Sequence, residues 1–202
     1  MAEPADRGYL FEQTAVDHTR LQLVSGWLDQ LTSETCVRAG LRPGGRAIDV
    51  GCGPIGTLAL LADLVGPSGT VVGIEASPQA TAAARTRLLS LGLTGVHVLD
   101  ADINMVDPGA LLQWGPYDLA VCRLLLVHQH DPVATLRSVM RLLRPGGRLI
   151  AIEPLRDAGF PRFDPPIPAV ERIKELDVAH IRHRGCRMTL RGNTERCSRR
   201  PV

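Results

Sequence analysis

The stretch "AIDVGCGPIG", residues 47–56, decides the fold. It is a short apolar strand that runs into a glycine-rich loop, and its three glycines fit the spacing G-x-G-x-x-G. Glycine lets such a backbone approach a ligand closely, and the helix that follows points its N-terminus into the site. The spacing alone is typical of dinucleotide sites. Asp49, before the first glycine, and Pro54, after the second, are unusual there, so the ligand class is open at this step.

The composition is that of one globular domain with a core of aliphatic side chains. The 202 residues are 45% hydrophobic and only 3% aromatic, and the formal net charge is +2. Such a charge indicates no nucleic-acid partner. The five cysteines include no C-x-x-C pair, and there is neither a signal-peptide pattern nor an apolar run of membrane-spanning length. The sequence therefore predicts a cytoplasmic protein that does not enter the membrane.

Outward from the loop, short apolar strands alternate with amphipathic helices. Ser77 and Pro78 form a helix-start signal, and Gly92 is a stop signal. This alternation predicts an α/β fold with a doubly wound, mostly parallel, Rossmann-like sheet and helices on both faces. The predicted strands are 46–50, 70–75, 96–101, one from 117, and 148–154; the predicted helices are 16–32, 56–66, 77–92 and 131–147.

Three regions are predicted along the chain. Residues 1–40 form an N-terminal helical lid region, residues 41–155 form the ligand-binding core, and residues 156–202 form a loop, a helix and an arginine-rich tail expected to be poorly ordered. No aromatic residues are interleaved with the arginines of the tail, which argues against nucleic-acid binding. The spacing of His180, His183 and Cys186 matches no common zinc site, so no metal is expected.

Acidic residues follow the first three predicted strands. Glu75 ends the second strand, where a carboxylate can accept both hydroxyls of a ribose. Asp49 would repel a pyrophosphate but attract an ammonium group, directly or through water. Asp100 ends the third strand and could accept from an adenine amino group. Together these acids favour a cationic ligand that carries adenosine.

Five segments resemble, in order and spacing, the motifs of class I S-adenosylmethionine-dependent methyltransferases of the small-molecule type. They are "AIDVGCGPIG", "VVGIEASP", "VLDADI", "PYDLAVCRLLLVH" and "LRPGGRLIAIEP", which together span about residues 40–155. The resemblance implies S-adenosylmethionine as the cofactor. It also implies that the site is formed by Tyr9, Asp49, Gly51, Cys52, Gly53, Glu75, Ala76, Ser77, Asp100, Ala101, Asp102, Arg123 and Leu124.

The resemblance assigns a part of the cofactor to each segment. Residues 51–53 would line the methionine part with Asp49 behind them, and Glu75 would hold the ribose. Residues 76–77 would flank the adenine, and residues 100–101 would contact its edge, with Asp102 as a rival for Asp100. Residues 123–124 would face the sulfonium, and Tyr9 with Gln13 could close over the cofactor as a lid.

Methyl transfer needs alignment and exclusion of water, and a base only when the acceptor must lose a proton. His128 is the candidate for that base or for a group that faces the acceptor; the alternative is a histidine that hydrogen-bonds locally. "CRLLLVH" stands where DNA and protein methyltransferases carry an N-P-P-Y/F sequence, which favours a small, fairly apolar acceptor.

The resemblance leaves alternatives to an active enzyme. Family members usually have two further strands after the fifth, and the sequence after residue 154 offers no convincing pair, so these strands are expected to be shortened or missing. An exposed sheet edge of that kind could promote a homodimer. The main prediction is a methyltransferase acting on a small molecule. A non-catalytic, cofactor-binding partner subunit is the second hypothesis, and an NAD-dependent oxidoreductase is a distant third.

Overall fold

The computed structural model describes residues 15–153, with side chains from residue 23 onward, and scattered positions between residues 165 and 176. Helices and strands alternate along this part of the chain. The helices are α1 (Ala15–Arg38), α2 (Leu58–Val65), α3 (Pro78–Ser90), α4 (Pro108–Leu112) and α5 (Pro132–Met140). The strands are β1 (Arg46–Val50), β2 (Thr70–Glu75), β3 (Val96–Asp100), β4 (Tyr117–Arg123) and β5 (Leu143–Ile152), and a 3₁₀ turn spans Leu126–His128.

The strands form one parallel sheet in the order β3-β2-β1-β4-β5. The strand order reverses between β1 and β4, so the loops that follow these two strands diverge to opposite faces and leave a crevice. The predicted doubly wound, Rossmann-like fold is therefore confirmed. The prediction about missing C-terminal strands concerns residues outside the described part.

Side chains of the central strands alternate between two apolar cores. One core includes Ala47 and packs under α1, α2 and α3; the other includes Ile48 and Val50 and packs under α4, α5 and the 3₁₀ turn. Burying one large aliphatic side chain stabilises a fold by about 1.5–3 kcal/mol. Both faces of β1 are thereby fixed, which holds the loop after it in place.

Several predicted elements match the observed bounds. The prediction for β2 is correct at both ends, and Ser77 caps α3, accepting a hydrogen bond from the Ala80 amide at 3.3 Å. The predicted helix 131–147 is too long: α5 ends at Met140 and β5 starts at Leu143. The Pro-Gly-Gly sequence therefore lies inside β5, where the register against β4 shifts. The short helix α4 was not predicted.

The predicted first helix exists and is longer than the predicted range 16–32, since α1 runs from Ala15 to Arg38. Leu23 and Leu31, part of the apolar pattern that indicated the helix, are exposed by 58% and 48%, whereas Ser25 and Thr32 are buried. The apolar residues that indicated the helix therefore do not all lie on its buried face. The physical reason is a buried arginine, described below, that requires polar partners on α1.

Three other predictions fall partly or wholly outside the described residues. Tyr9, Gln13 and the arginine-rich tail lie in parts of the chain that the structure does not describe. Across the described residues, no group of His, Cys, Asp and Glu side chains is arranged to hold a metal ion. No helix there is both long and apolar enough to cross a membrane.

Candidate cofactor-binding site

The site lies at the carboxyl edge of the sheet, above the point where the strand order reverses. Its centre is the glycine loop, defined here as residues 51–57, between β1 and α2. The amides of Gly51 and Cys52 both donate to the Ile74 carbonyl, at 2.8 and 3.2 Å, and the Gly53 amide donates to Glu75 Oε2 at 3.0 Å. The loop is thus tied to the end of β2 by three consecutive amides.

Asp49 and Gly56 form the base of the loop. Asp49 is 1% exposed and its Oδ2 accepts from the Thr57 amide at 2.7 Å. A Cβ on Gly56 would lie 2.8 Å from that oxygen and 2.2 Å from the Cys52 carbonyl, so only glycine fits there. Burial raises the pKa of Asp49, while hydrogen bonds from Thr57 and the nearby Arg123 guanidinium partly offset the rise. In this arrangement Asp49 does not contact a ligand ammonium directly. Its negative charge acts on a ligand from beneath the glycine loop.

The ligand-facing side of the loop is open at Gly53. This residue has φ +57°, a backbone conformation that favours glycine, and a Cβ built there meets no atom within 4 Å. Glu75 lies beside it and accepts from the Ser77 amide through Oε1 at 2.9 Å. A carboxylate has about four acceptor positions, so two bonded amides leave about two for a ligand. A vicinal diol such as that of ribose needs about that number.

Cys52 contributes to the site through its backbone only. Its side chain is 2% exposed and points into the core, where it fits because β2 has no side chain at Gly73: a Cβ there would lie 2.9 Å from Cys52 Sγ. Burial raises the pKa of the Cys52 thiol well above its usual value. A nucleophilic role for this thiol is therefore not supported.

The predicted adenine residues lie at the ends of β2 and β3. Ala76 is exposed and half-buried Ser77 caps α3, while Asp100 pairs with Glu75 in the β2–β3 register. Asp102 is exposed and its Oδ1 accepts from the Asn104 amide at 2.8 Å. Asp102 thus has a local role in its turn, whereas Asp100 extends the strand. The choice between them as the adenine partner stays a prediction.

Arg123 ends β4, and its side chain is bound by partners on α1 and on the glycine loop. Its side chain is 7% exposed, and its guanidinium donates to Asp29 Oδ1 at 2.7 Å, Ser25 Oγ at 2.8 Å and the Gly56 carbonyl at 2.8 Å. The guanidinium thus joins α1 to the glycine loop. A position of residue 123 at the sulfonium end of the cofactor stays a prediction.

The loop after β4 carries the last predicted site residues. Leu124 has φ +57°, an uncommon conformation for a residue other than glycine, and its amide donates to the Ile152 carbonyl at 2.9 Å. Leu125 packs on the glycine loop so closely that a Cβ on Gly51 would lie 2.6 Å from its Cδ1. His128 ends the 3₁₀ turn and is exposed. Its catalytic role remains a prediction.

Three residues of this site were missed by sequence reasoning. Ser25 and Asp29 bind Arg123 from α1, and Glu153 accepts from amides of the loop after β4. The i, i+4 spacing of Ser25 and Asp29 was visible, but nothing marked Arg123 as their partner. Glu153 is the next-to-last residue of the fifth predicted strand, 148–154, and an acid at a strand end was the signal already used for Glu75.

The comparisons with known proteins agree with this arrangement. A family model described as a methyltransferase domain matches residues 41–182. The chain belongs to the class I methyltransferases. S-adenosylmethionine is the cofactor of this family, and it is the cofactor that the resemblance implied.

Relatives of this chain include enzymes of quinone biosynthesis. It is 32% identical to the ubiquinone biosynthesis O-methyltransferase of Xanthomonas oryzae, over 67% of this chain and 48% of that protein. It is also 32% identical to the ubiquinone/menaquinone biosynthesis C-methyltransferase of Ectopseudomonas mendocina, over 65% of this chain and 50% of that protein. The chain thus spans about half the length of these relatives.

Solved structures share the fold. A SAM-dependent methyltransferase from Aquifex aeolicus matches with a TM-score of 0.55 and 24% identity, over 79% of this chain and 82% of that one. The [4+2]-cyclase SpnF matches with a TM-score of 0.52 and 28% identity, over 62% of this chain and 44% of that one. The name of the second protein gives an activity other than methyl transfer.

The hydrogen bonds of the glycine loop disfavour a dinucleotide and suit the cofactor of the family. A pyrophosphate would need free loop amides, yet those of residues 51, 52, 53 and 57 already donate to carbonyl or carboxylate oxygens. Asp49 beneath the loop and Glu75 beside it also put negative charge close to the loop that a pyrophosphate would occupy. The open side of Gly53 and the remaining acceptor positions of Glu75 fit an adenosine ligand without phosphates.

Proposed function

We propose that the protein transfers the methyl group of S-adenosylmethionine to a small-molecule acceptor. The observation that carries this proposal is the Glu75 carboxylate, which holds the Gly53 and Ser77 amides and keeps acceptor positions beside the open side of Gly53. Its oxygens would accept from the two ribose hydroxyls. Residues 51–53 would border the methionine part, and Asp100 or Asp102 the adenine.

The chemistry is an in-line displacement at the methyl carbon of the sulfonium. The acceptor atom forms a bond to that carbon as the bond from carbon to sulfur breaks, and S-adenosylhomocysteine leaves. The apolar side chains of Leu124 and Leu125 at the edge of the loop after β4 would exclude water from the sulfonium. His128 would take the proton of an acceptor hydroxyl.

The acceptor class is proposed from the relatives and from the loop after β4. The two quinone-biosynthesis relatives are named as an O- and a C-methyltransferase, which favours a phenolic ring as acceptor. The apolar sequence "CRLLLVH" is compatible with such a ring. A cytoplasmic location belongs to the same proposal.

A second function is a cofactor-binding protein that does not transfer methyl groups. The observation that favours it is the structural match to a protein named as a [4+2]-cyclase, because it shows that this fold is not restricted to methyl transfer. The two proposals share the cofactor site and differ in turnover.

The test compares binding and turnover in matched variants. Calorimetric titrations with S-adenosylmethionine and S-adenosylhomocysteine would use the wild type, Glu75→Ala and Asp118→Asn. Asp118 is a suitable control because its carboxylate also accepts a backbone amide, from Arg46 at 2.7 Å, but at the opposite end of the sheet. We expect Glu75→Ala to weaken both ligands at least tenfold, about 1.4 kcal/mol, and Asp118→Asn to leave both affinities unchanged.

Turnover is measured with labelled S-adenosylmethionine and a panel of catechols and hydroxybenzoates. Transfer of label to any of these phenols supports the methyltransferase proposal. Binding without transfer would favour the second function. If the folded wild type binds neither cofactor form, both proposals fail.

A further inference from the structure

The loop after β4 is held by a carboxylate from another strand end. Glu153 directly follows β5, and its Oε1 accepts from the amides of Leu125 at 2.9 Å and Leu126 at 2.8 Å. Its Oε2 lies 3.4 Å from the Val127 amide. A single side chain therefore receives three consecutive amides at the start of the 3₁₀ turn.

This anchoring is needed because the loop has an unfavourable conformation. Leu124 adopts a left-handed backbone conformation, which is unfavourable for a residue that has a side chain. Hydrogen bonds to an ionised acceptor are about twice as strong as neutral ones. The Glu153 carboxylate and the Ile152 carbonyl, both at the end of β5, are the groups that stabilise this turn of the chain.

The loop after β4 runs from the cofactor side of the proposed site to the proposed catalytic base. At one end, Leu125 packs on Gly51 of the glycine loop, which borders the methionine part of the cofactor. At the other end, His128 lies three residues further along, at the close of the 3₁₀ turn, and its amide donates to the Leu125 carbonyl at 2.9 Å. The position of His128 relative to the transferred methyl group therefore depends on residues 124–128.

We propose that Glu153 is a positioning residue that fixes the loop 124–128, and with it His128 and the apolar wall beside the sulfonium. This inference deepens the proposed function and rests on it for the catalytic consequence. In the proposed function the cofactor would be held mainly by the glycine loop between β1 and α2 and by Glu75 at the end of β2. Loss of Glu153 is therefore expected to impair turnover far more than cofactor binding.

The test uses Glu153→Ala and Glu153→Gln, with Asp118→Asn as the matched control for a lost bond between a carboxylate and an amide. Amide hydrogen exchange measured by mass spectrometry should be at least tenfold faster in peptides that cover residues 124–128 of Glu153→Ala. Glu153→Gln should lie between this variant and the wild type, because a neutral oxygen still accepts at one position. In the control, faster exchange should be confined to the Arg46 and Asp118 region.

Two further measurements separate positioning from general destabilisation. The affinity for S-adenosylhomocysteine should stay within threefold of the wild type in Glu153→Ala, while kcat with the best phenol of the panel falls at least tenfold. Unchanged exchange in residues 124–128 would overturn the proposal, and so would a loss of cofactor affinity as large as the loss of kcat.

The failure of this inference is distinguishable from failure of the proposed function. If the wild type transfers no methyl group, the proposed function fails. Faster exchange at residues 124–128 with unchanged affinity for S-adenosylhomocysteine would still establish Glu153 as the residue that positions this loop.

Discussion

At the scale of single residues, Asp49 combines a structural and an electrostatic role. It is buried under the glycine loop and receives the Thr57 amide, and burial raises its pKa. A raised pKa means that the native state holds the Asp49 proton more tightly than the unfolded chain does. Ionisation of Asp49 therefore costs stability as the pH rises above the usual range of an aspartate.

Asp49→Asn should consequently stabilise the protein while weakening its cofactor. At pH 7 we expect a higher free energy of unfolding than in the wild type, a difference that disappears as the pH falls below the usual aspartate pKa. We also expect S-adenosylmethionine to bind about fivefold more weakly, about 1 kcal/mol, because its sulfonium loses a nearby negative charge. Urea unfolding at several pH values and calorimetry measure the two effects.

S-adenosylhomocysteine serves as the control ligand for this variant, because it lacks the positive sulfonium. Its affinity should fall less than that of S-adenosylmethionine. An equal loss for both ligands would show that Asp49 acts by shaping the loop rather than through its charge.

The sequence predicted individual residues well where one residue type has one physical role. Gly53 and Glu75 follow from the spacing of the loop and the end of β2, because backbone freedom and ribose binding leave few alternatives. Arg123 and Cys52 were harder, because the direction of a side chain depends on partners distant in sequence. Asp29 is 94 residues from Arg123, and no local pattern encodes that contact.

At the scale of elements, α1 is the least typical helix of the fold. Its polar residues Ser25 and Asp29 bind the buried guanidinium of Arg123, while Trp27 on the outer side is 79% exposed. Apolar periodicity normally marks the buried face of a helix. Here one buried cation outweighs that rule, since an unpaired guanidinium in the interior would cost more than exposed leucines.

Arg123→Lys is expected to loosen α1 because an ammonium cannot bridge the same partners as the planar guanidinium. We predict a loss of about 1–3 kcal/mol in the free energy of unfolding and faster amide exchange at residues 25–32. Denaturant unfolding and exchange mass spectrometry measure these effects.

Arg148→Lys is the matched control, because Arg148 is exposed and donates to the Ala39 carbonyl at 3.1 Å. We expect its stability to change by less than about 0.5 kcal/mol. Equal losses in the two variants would show that the contacts of Arg123 to α1 have no special importance.

Strand predictions were more accurate than helix predictions for a physical reason. A buried parallel strand needs a continuous apolar run bounded by turn residues, which β1 and β2 have. Helix ends depend on competition with the next element. The Pro-Gly-Gly sequence after α5 was interpreted as a helix stop, but pairing of Leu143 with Tyr117 draws that segment into β5.

At the scale of the whole molecule, the two ends of the sheet have separate tasks. The carboxyl end carries the glycine loop, Glu75 and Glu153. At the amino end, Asp118 accepts from the Arg46 amide and pairs with Arg144. Despite partial burial, these hydrogen bonds and charges lower the pKa of Asp118, so its stabilising effect should be lost only as the pH falls below the usual range.

This separation predicts that two variants will differ in thermal unfolding. One should lose intrinsic stability, and the other should lose stabilisation by the ligand. Asp118→Asn should lower the free energy of unfolding by about 1 kcal/mol and keep the full stabilisation by ligand, about 2.7 kcal/mol at 100 times Kd. Glu75→Ala, with an affinity at least tenfold weaker, should keep at most about 1.4 kcal/mol of that stabilisation at the same concentration of S-adenosylhomocysteine. Thermal scans with and without the ligand measure both. A smaller ligand effect in Asp118→Asn would contradict the separation.

The packing of the Cys52 thiol against Gly73 provides a way to measure how fast the glycine loop opens. Only a thiolate reacts with a disulfide reagent, and the Cys52 thiol is shielded between the loop and β2. Modification of Cys52, located by mass spectrometry, would therefore occur at the rate at which the loop lifts away from the strand. The decrease in the labelling rate of Cys52 in the presence of S-adenosylhomocysteine would measure how much the bound ligand slows the opening of the loop.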